Sequence, residues 1–293
     1  MSVDFVFVPH SDAHSSYAVS SLFFFDPVFA RRQLAAAEEA GFRTVLIDDA
    51  AGALANLDIV ASVARWNKAL DIAVTHWIDV TSPLIAASDI AALDRHTGGR
   101  LALRIIGSSA EGPGARGSLV AWQKTDEYLT LLKRLWSNDL PIDYEGRFYS
   151  LAGSVVPDKG PQGASLPIRI AGYSGKAVEV AGRHASVFEL PAVPYSDTVA
   201  IIDRVRNAAS KFGRAEKISF SRWVHMQDEY LSSDAAALSR LAEAGVSEFM
   251  VSGLHDAGAI ERFGERIIKA LGPEQIQTPH PAFAALMARG ARN

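Results

Sequence analysis

LDIAVTHWIDVTSPLIAASDIAALDRHTGGRLALRII (70–106) is the stretch that decides the fold. It begins with a short apolar strand at 70–77, continues as a helix at 82–99 and ends in a second apolar strand at 100–106. The helix opens with Ser-Pro, which is typical of a helix start, and closes with Gly-Gly, which is typical of a stop. Two short apolar strands joined by a helix predict a parallel sheet that helices cover.

The same order of strand and helix recurs along the chain. Apolar, β-branched or aromatic strands are predicted at 3–9, 44–48, 70–77, 100–106, 167–172, 185–190, 217–227 and 247–253. Segments with helical spacing follow them at 27–41, 57–69, 82–99, 118–136, 175–183, 196–213, 233–245 and 257–272. Eight strand–helix units in this length favour an α/β protein of the closed (β/α)8 type, the TIM barrel, over an open doubly wound sheet.

One irregular stretch, 137–166, interrupts the series between the fourth helix and the fifth strand. It is too long for a bare loop, and its YEGRFYSL pattern predicts a small hairpin added to the barrel. We therefore expect a single barrel domain over 1–272 that carries this insertion, followed by a C-terminal tail at 273–293.

The composition excludes several classes of protein. The 293 residues carry a formal charge of −4 and are 48% hydrophobic, as in a globular protein, and the mild acidity argues against a nucleic-acid binder. The absence of cysteine excludes disulfides, thiolate nucleophiles and cysteine-bound zinc. The first residues include no basic signal segment, and no apolar run reaches the ~18 residues of a membrane span, so a cytoplasmic protein without membrane contact is expected.

In a barrel of this kind the functional groups lie at the carboxyl ends of the strands and in the loops that follow. One such end reads AGYSGKAVE (171–179). Gly172, Tyr173 and Ser174 lie where a strand passes into a helix, and small residues there let backbone N–H groups approach a phosphate at the positive helix end. An ordinary N-cap by Ser174 explains the same residues, and the motif alone leaves both interpretations open.

His225 lies near the end of the seventh predicted strand. Strand alternation places Trp223 and His225 on one face and Arg222 on the other. A histidine beside a tryptophan would suit a polar pocket. The competing explanation is a buried histidine with a structural role, and the local pattern favours this second explanation. His10 and His14 follow the first strand, but later strand ends offer too few further ligands, so no metal centre is predicted.

GPGARG (112–117) matches the G-x-G-x-x-G pattern letter by letter. The dinucleotide-binding form of that pattern begins at the strand end and needs an acid at the end of the next strand. Here about five residues separate the strand from the motif, and no acid ends the next strand near Ile170, so a mobile lid loop is preferred. The sequence also has no G-x-S-x-G elbow, which disfavours a serine hydrolase of the common type.

Five segments together resemble the bacterial luciferase-like flavin monooxygenases, and most of all the alkanesulfonate monooxygenase branch. They are LDRHTGGRLALRIIGSS (93–109), TDEYLTLLKRLW (125–136), DYEGRFYSL (143–151), LPIRIAGYSGKAVEVAGRHASVF (166–188) and GVSEFMVSGLHDAGAIERFGERI (245–267). D-R-x-x-G-G-R before a strand, then a D-E-Y helix and then E-G are fairly specific in combination. The resemblance spans nearly the whole chain, and it implies the barrel predicted above.

The resemblance also implies a reaction and its participants. Reduced FMN would be the cosubstrate, O2 the oxidant and a flavin peroxide the reactive species. A separate NAD(P)H-dependent reductase would supply the reduced flavin, and a small organic molecule would be the substrate. Homodimers and homotetramers are common in the family, so either assembly is expected here.

Residues of the site follow from the resemblance in the same way. His225 matches the family's histidine near the substrate and would be catalytic, and Trp122 lies where alkanesulfonate enzymes usually carry a tyrosine beside the flavin. The implied cofactor-binding residues are Thr75, His76, Gly107, Ser108, Trp122, Gly172, Tyr173 and Ser174. The implied substrate-binding residues are His10, Arg222 and Trp223.

The chain departs from the alkanesulfonate pattern in several places. Trp223 stands where the family's R-x-H pattern has arginine, and Leu254 stands where it has tyrosine. The family's cysteine is replaced at Ala55 or a neighbour, and its long lid shrinks to DEYLSSD (228–234). Because such changes remove charge-assisted contacts, each of which contributes about 1.5–3 kcal/mol, the pattern disfavours an alkanesulfonate substrate.

Three functions therefore fit the sequence. An FMNH2-dependent monooxygenase that acts on a small organic substrate, organosulfur compounds included, is the preferred hypothesis. An F420-dependent oxidoreductase on the same fold would transfer hydride without O2. A flavin-binding protein without catalysis is the third interpretation.

Overall fold

A computed structural model describes residues 3–9, 24, 26–48, 53–107, 118–226 and 234–271. The strands are β1 (Asp4–Phe7), β2 (Thr44–Ile47), β3 (Asp71–Trp77), β4 (Leu101–Ile106), β5 (Ile142–Glu145), β6 (Ser150–Ser154), β7 (Ile168–Ala171), β8 (Val187–Leu190), β9 (Ser219–His225) and β10 (Glu248–Ser252). The helices are α1 (Pro27–Ala40), α2 (Ala53–Trp66), α3 (Pro83–Thr97), α4 (Leu119–Ser137), α5 (Gly175–His184), α6 (Tyr195–Ser210), α7 (Asp234–Glu243) and α8 (Ala257–Phe263).

Among the described residues, eight strands form a closed barrel, and helices alternate with them along the chain. The order around the barrel is β1, β2, β3, β4, β7, β8, β9 and β10, with β10 pairing back to β1 in parallel. Strands that follow one another along the chain are therefore neighbours in the barrel, apart from the two strands of the insertion. The predicted (β/α)8 TIM barrel is confirmed.

The insertion between α4 and β7 contains a two-stranded antiparallel sheet of β5 and β6, as the sequence predicts. Glu127 on α4 holds the turn of this hairpin. Its carboxylate accepts hydrogen bonds from the backbone N–H groups of Arg147 at 3.2 Å, Phe148 at 3.1 Å and Tyr149 at 2.9 Å. Three such bonds to one ionised group explain why the D-E-Y helix and the E-G hairpin occur together in the sequence.

Several predicted elements differ from the observed ones at their ends, and the helix predicted at 57–69 is observed as α2 at Ala53–Trp66. The strand predicted at 217–227 is shorter, and α8 passes after Phe263 into a π-helical turn at Gly264–Ile268. A Cβ on Gly264 would lie 2.7 Å from the carbonyl oxygen of Ala40 at the end of α1. The irregular turn thus coincides with a close contact between distant segments, which no local pattern reveals.

One compact unit comprises the described residues up to Thr75, Glu189–Asp203 and those from Ser219 onward. Its core contains a cluster of four buried phenylalanines, Phe5, Phe42, Phe249 and Phe263. Phe42 stacks on Phe263 with ring centroids 5.4 Å apart, and Phe5 meets Phe263 edge-on at 5.7 Å. Aromatic pairs of this geometry add about 0.5–1.5 kcal/mol beyond the burial of their area.

The other compact unit comprises the described parts of His76–Phe188 and Arg204–Ile218. The fully buried Asp94 on α3 accepts hydrogen bonds from the backbone N–H of Gln162 at 2.8 Å and from its side-chain amide at 2.7 Å. These bonds join the insertion to α3, because Gln162 lies between the hairpin and β7.

No helix within the described ranges is both long and apolar enough to cross a bilayer. Those ranges also contain no group of three or more histidine, aspartate and glutamate side chains that could hold a metal ion. The single barrel domain over 1–272, the tail at 273–293 and the cytoplasmic location remain predictions.

Candidate active site

Trp122 on α4 contacts two of the glycines that the sequence assigns to the cofactor. The indole is 6% exposed and lies against Gly107, which follows β4, and Gly172, which follows β7. A Cβ on Gly172 would be 2.6 Å from Cζ2 of Trp122, and a Cβ on Gly107 would be 3.8 Å from its Cη2. The fold therefore brings together three predicted residues, which we call the indole group: Gly107, Trp122 and Gly172.

Ser174 is the N-cap of α5. Its hydroxyl oxygen accepts a hydrogen bond from the N–H of Ala177 at 3.1 Å, so the capping role proposed from the sequence is present. Tyr173 is 55% exposed beside it. Lys176, in the first turn, forms ion pairs with Glu179 at 3.1 Å and with Asp126 at 3.5 Å.

The start of α5 fits the phosphate of a flavin. The first N–H groups of a helix have no partner within it, and the helix dipole favours an anion there. The space beside this turn is open, since a Cβ on Gly175 would meet no atom within 4 Å. Next to it, the indole of Trp122 fills the space that any side chain at Gly172 would need, so only glycine fits at this position.

Thr75, near the end of β3, is buried and held on two sides. Its hydroxyl donates to Asp48 Oδ1 at 2.6 Å, and its carbonyl oxygen accepts from Asn56 Nδ2 at 3.0 Å. The other amide atom of Asn56, Oδ1, is buried and has no hydrogen-bond partner in the described part of the chain. The threonine is thus fixed from β2 and α2 at the functional end of the barrel.

His76 is buried and joined to Tyr128 on α4, which is fully buried. A hydrogen bond of 2.8 Å connects His76 Nε2 with Tyr128 Oη. Burial lowers the pKa of His76 to about 4, so the imidazole is neutral at pH 7. Burial also raises the pKa of Tyr128, so its hydroxyl stays protonated. The contact turns the His76 ring toward α4.

Tyr149, beside the hairpin turn, extends this cluster. Its ring centroid is 5.7 Å from that of Tyr128, and Lys124 Nζ lies 5.9 Å from the ring. Lys124 is paired with Asp79 at 2.8 Å. Burial and the Asp79 carboxylate raise the pKa of Tyr149, whose buried hydroxyl has no hydrogen-bond partner among the residues described.

Trp223 and His225 come together on one hydroxyl, that of Ser252. Trp223 Nε1 donates to Ser252 Oγ at 2.9 Å, and His225 Nδ1 lies 3.1 Å from the same atom. The pairing register places Ser252 directly beside His225. Gly253 follows with φ +89°, and a Cβ there would lie 2.3 Å from the carbonyl oxygen of Met226. His225 is exposed, unlike the buried residue that its structural interpretation requires.

Arg222 does not join this pair. Its guanidinium donates to Thr198 Oγ1 on α6 at 3.0 Å, whereas Trp223 and His225 reach β10. The alternation predicted for this strand accounts for the separation. Trp223, which stands in place of the family's arginine, and the neighbouring Arg222 therefore have different surroundings.

Several residues proposed from the sequence lie outside the described residues. They are His10, His14, Ser108, the GPGARG segment at 112–117 and residues 228–233. The side chains of Ala55 and Asp234 belong to the same set. The roles suggested for them stay predictions.

Sequence reasoning missed several partners of the proposed residues, among them Tyr128, Asp48 and Ser252. Tyr128 lies on the segment that carries the family resemblance, but nothing there indicates a bond to His76. Ser252 lies two residues before Leu254, and nothing in that segment indicates a contact with His225. Each contact joins residues at least 27 positions apart, beyond the range of local patterns.

Comparison with known proteins gives a family and several relatives. A family model described as luciferase-like monooxygenase matches residues 1–282. The sulfoquinovose monooxygenase of Agrobacterium fabrum is 30% identical over 196 residues, which cover 65% of this chain and 49% of that protein. The FMNH2-dependent dimethylsulfone monooxygenase of Pseudomonas putida is 24% identical over 196 residues, which cover 64% of this chain and 50% of that protein. The chain thus spans about half the length of the curated relatives it matches.

Solved structures share the fold at lower identity. A long-chain alkane monooxygenase matches with a TM-score of 0.76 and 16% identity, over 99% of this chain and 92% of that one. An F420-dependent secondary alcohol dehydrogenase in complex with an F420–acetone adduct matches with a TM-score of 0.72 and 17% identity, over 93% of this chain and 100% of that one. At these identities the likeness shows the fold alone.

Proposed function

Since the chain belongs to the luciferase-like monooxygenase family, we propose that it is an FMNH2-dependent monooxygenase acting on a small organic substrate. A separate NAD(P)H-dependent reductase would provide the reduced flavin, and the enzyme would assemble as a homodimer or homotetramer. Two relatives carry sulfone or sulfoquinovose in their names, so organosulfur compounds are the first substrates to test.

The observation that carries this proposal is the indole group beside the start of α5. Gly172 carries no side chain and packs against the indole of Trp122, and α5 would offer its first-turn N–H groups to the phosphate. The buried indole of Trp122 would exclude water from the flavin. When bound, reduced FMN would supply two electrons, so that one oxygen atom of O2 enters the substrate and the other leaves as water.

Thr75 and His76 would act from the end of β3. The Thr75 hydroxyl donates to Asp48 and so presents an acceptor oxygen at a fixed position. The neutral His76 would hold Tyr128, and through it the tyrosine pair with Tyr149, without adding a charge to the pocket wall. Tyr173 and Ser174 would flank the phosphate, and Ser108 remains proposed as a cofactor contact.

His225 is the proposed catalytic residue. Its Nδ1 lies 3.1 Å from Ser252 Oγ, which orients the ring, and the imidazole would donate or accept a proton at the substrate. Trp223 would form an apolar wall beside it, fixed by its own bond to Ser252. His10 and Arg222 are also proposed as substrate contacts; the guanidinium of Arg222 lies on the side of α6, where it donates to Thr198.

The second candidate function is hydride transfer with F420. It is favoured by the F420-dependent dehydrogenase among the structural matches, and by the same open start of α5, since F420 also carries a phosphate. A flavin-binding protein without catalysis is the third candidate. The two enzymatic functions differ in their need for O2.

Anaerobic titration followed by tryptophan fluorescence separates these functions. The proposal predicts that FMNH2 binds at least tenfold more tightly than oxidised FMN, and that riboflavin, which lacks the phosphate, binds at least tenfold more weakly than FMN. Binding of reduced F420 with no flavin binding up to millimolar concentration would select the second candidate. Tight binding of oxidised FMN without O2-dependent turnover would select the third candidate, the flavin-binding protein without catalysis.

A further inference from the structure

A groove separate from the proposed flavin site lies between the start of α6, strand β9 and helix α7. Its volume is about 580 Å³, and we call it the α6–α7 groove. It is lined by Val193, Pro194, Tyr195, Arg222, Ala237, Arg240, Leu241 and Glu243. Sites for small molecules commonly enclose about 300–1,000 Å³, so the groove has the size of a ligand site.

Arg222 gives this groove a positive charge at its wall. The side chain is half-buried, and its guanidinium donates to the hydroxyl of Thr198 at 3.0 Å. Thr198 is fully buried and in turn donates to the carbonyl oxygen of Pro194 at 3.1 Å, which fixes the arginine beside the apolar wall. In the described ranges no carboxylate forms an ion pair with Arg222.

A half-buried guanidinium with only a neutral partner is unusual, because removal of a charge from water is costly unless an opposite charge compensates it. Burial accordingly lowers the pKa of Arg222. A bound anion would supply the missing charge and could use the other N–H groups of the fork.

The other lining residues indicate the rest of the ligand. Val193, Pro194, Ala237 and Leu241 offer an apolar surface. Arg240 adds a second guanidinium and Glu243 one carboxylate, so the lining carries one net positive charge. Tyr195, 51% exposed, stands at the start of α6, where the helix dipole also favours an anion.

We propose that the α6–α7 groove binds a small molecule with a carboxylate head and an apolar chain. The head pairs with Arg222 and Arg240, and the chain lies along Val193, Ala237 and Leu241. The groove does not share a residue with the indole group or with the Trp223–Ser252–His225 contacts. The proposal therefore does not require a bound flavin, although Arg222 belongs both to this groove and to the substrate contacts proposed above.

Calorimetric titration with sodium octanoate tests this proposal on the full chain. Octanol and octyltrimethylammonium serve as neutral and cationic probes of the same chain length. Octanoate is expected to bind at least tenfold more tightly than octanol, and the cation more weakly still. Equal affinity for the three probes would overturn the proposal, since charge would then play no part.

Variants locate the binding. Arg222→Gln and Arg240→Gln are each expected to weaken octanoate at least fivefold and leave octanol unchanged. Arg204→Gln, on the exposed part of α6 and outside the lining, is the matched control and should not change either affinity. Ala237→Trp, which fills the groove, should abolish binding of both probes. Octanoate binding that survives Ala237→Trp unchanged would assign the ligand to another site and contradict the proposal. This test stands even if Arg222→Gln fails to fold.

Discussion

Gly172 and Trp122 lie so close that only glycine fits at position 172. A Cβ there would be 2.6 Å from Cζ2 of the indole and 2.8 Å from the Cβ of Ala177, well inside van der Waals contact. The glycine after β7 and the tryptophan on α4 therefore form one surface, against which the proposed flavin phosphate and ring are placed.

The first prediction concerns the glycine itself. Gly172→Ala should lower the free energy of unfolding by about 1–3 kcal/mol, because the indole or α5 must shift, and should weaken FMN binding with it. Gly175→Ala, whose Cβ meets no atom within 4 Å, should leave the thermal stability unchanged. In a double-mutant cycle with Trp122→Ala, chemical denaturation should show strong coupling between the two positions. Additive effects would mean that the two residues do not restrict each other.

The second prediction concerns the phosphate. Ser174→Asp and Ser174→Asn both keep an N-cap for α5, but only the aspartate adds a negative charge. The aspartate variant should bind FMN at least tenfold more weakly than the asparagine variant, with riboflavin equally bound by both, as fluorescence titration would show. Equal FMN affinity in the two variants would put the phosphate elsewhere.

The third prediction concerns His225. His225→Gln should retain flavin affinity and lose turnover by about 10²-fold or more, the range of general acid–base groups. Ser252→Ala, which removes the hydroxyl that holds Nδ1, should cause a smaller loss of kcat. The exposed His96 on α3 provides the control, since His96→Gln should leave turnover unchanged. If His225→Gln turns over normally, the histidine has a structural role only.

The fourth prediction concerns the insertion. Glu127→Gln replaces a carboxylate acceptor by a neutral amide carbonyl. The three backbone hydrogen bonds to this side chain, each of which contributes about 1.5–3 kcal/mol when the acceptor is ionised, should therefore weaken. Amide hydrogen exchange should rise at Arg147, Phe148 and Tyr149, with a lower melting temperature. Glu145 is the control, since its carboxylate accepts a hydrogen bond from Ser150 in the same hairpin. In Glu145→Gln, exchange at these three amides should be as slow as in the wild type. Unchanged exchange in the Glu127 variant would refute the anchoring role.

The fifth prediction concerns pH and Asp4 on β1. The pKa of Asp4 is raised from 3.8 to about 6, chiefly by burial; the Arg43 guanidinium opposes the rise, and the carboxylates of Glu248 and Asp71 contribute to it. Stability from this group is present below pH 3.8 and lost as pH rises through 6, a cost of about 3 kcal/mol. Asp4→Asn should therefore be more stable than wild type at pH 7.5, and the difference in melting temperature should shrink toward pH 4. A difference that stays constant with pH would contradict the shifted pKa.

The sequence was sufficient for the barrel and its insertion because their signals are local. Ser-Pro starts, Gly-Gly stops and short apolar strands lie within a few residues of the elements they define, and the capping role of Ser174 was readable in the same way. Strand alternation also separated Arg222 from Trp223 and His225. The π-helical turn after α8 escaped prediction, because it coincides with the contact of Gly264 and Ala40 across the fold.

The candidate site was only partly predictable for the same reason. The sequence placed Trp122, Gly107 and Gly172 near one cofactor through family resemblance, but their mutual contact depends on packing between α4 and two barrel strands. The bond of His76 to Tyr128 likewise could not be inferred, since hydrogen bonds between buried side chains depend on the three-dimensional positions of elements far apart in the chain.

Oxygen labelling tests the central claim most directly. The protein, FMNH2 and a panel of sulfones, sulfonates and aldehydes would be mixed under 18O2, with a flavin reductase and NADH to sustain turnover, and the products analysed by mass spectrometry. The account predicts one 18O atom per molecule of a product that forms only when protein, FMNH2 and O2 are all present. Product without 18O, or substrate conversion under argon with the F420 cofactor alone, would contradict it.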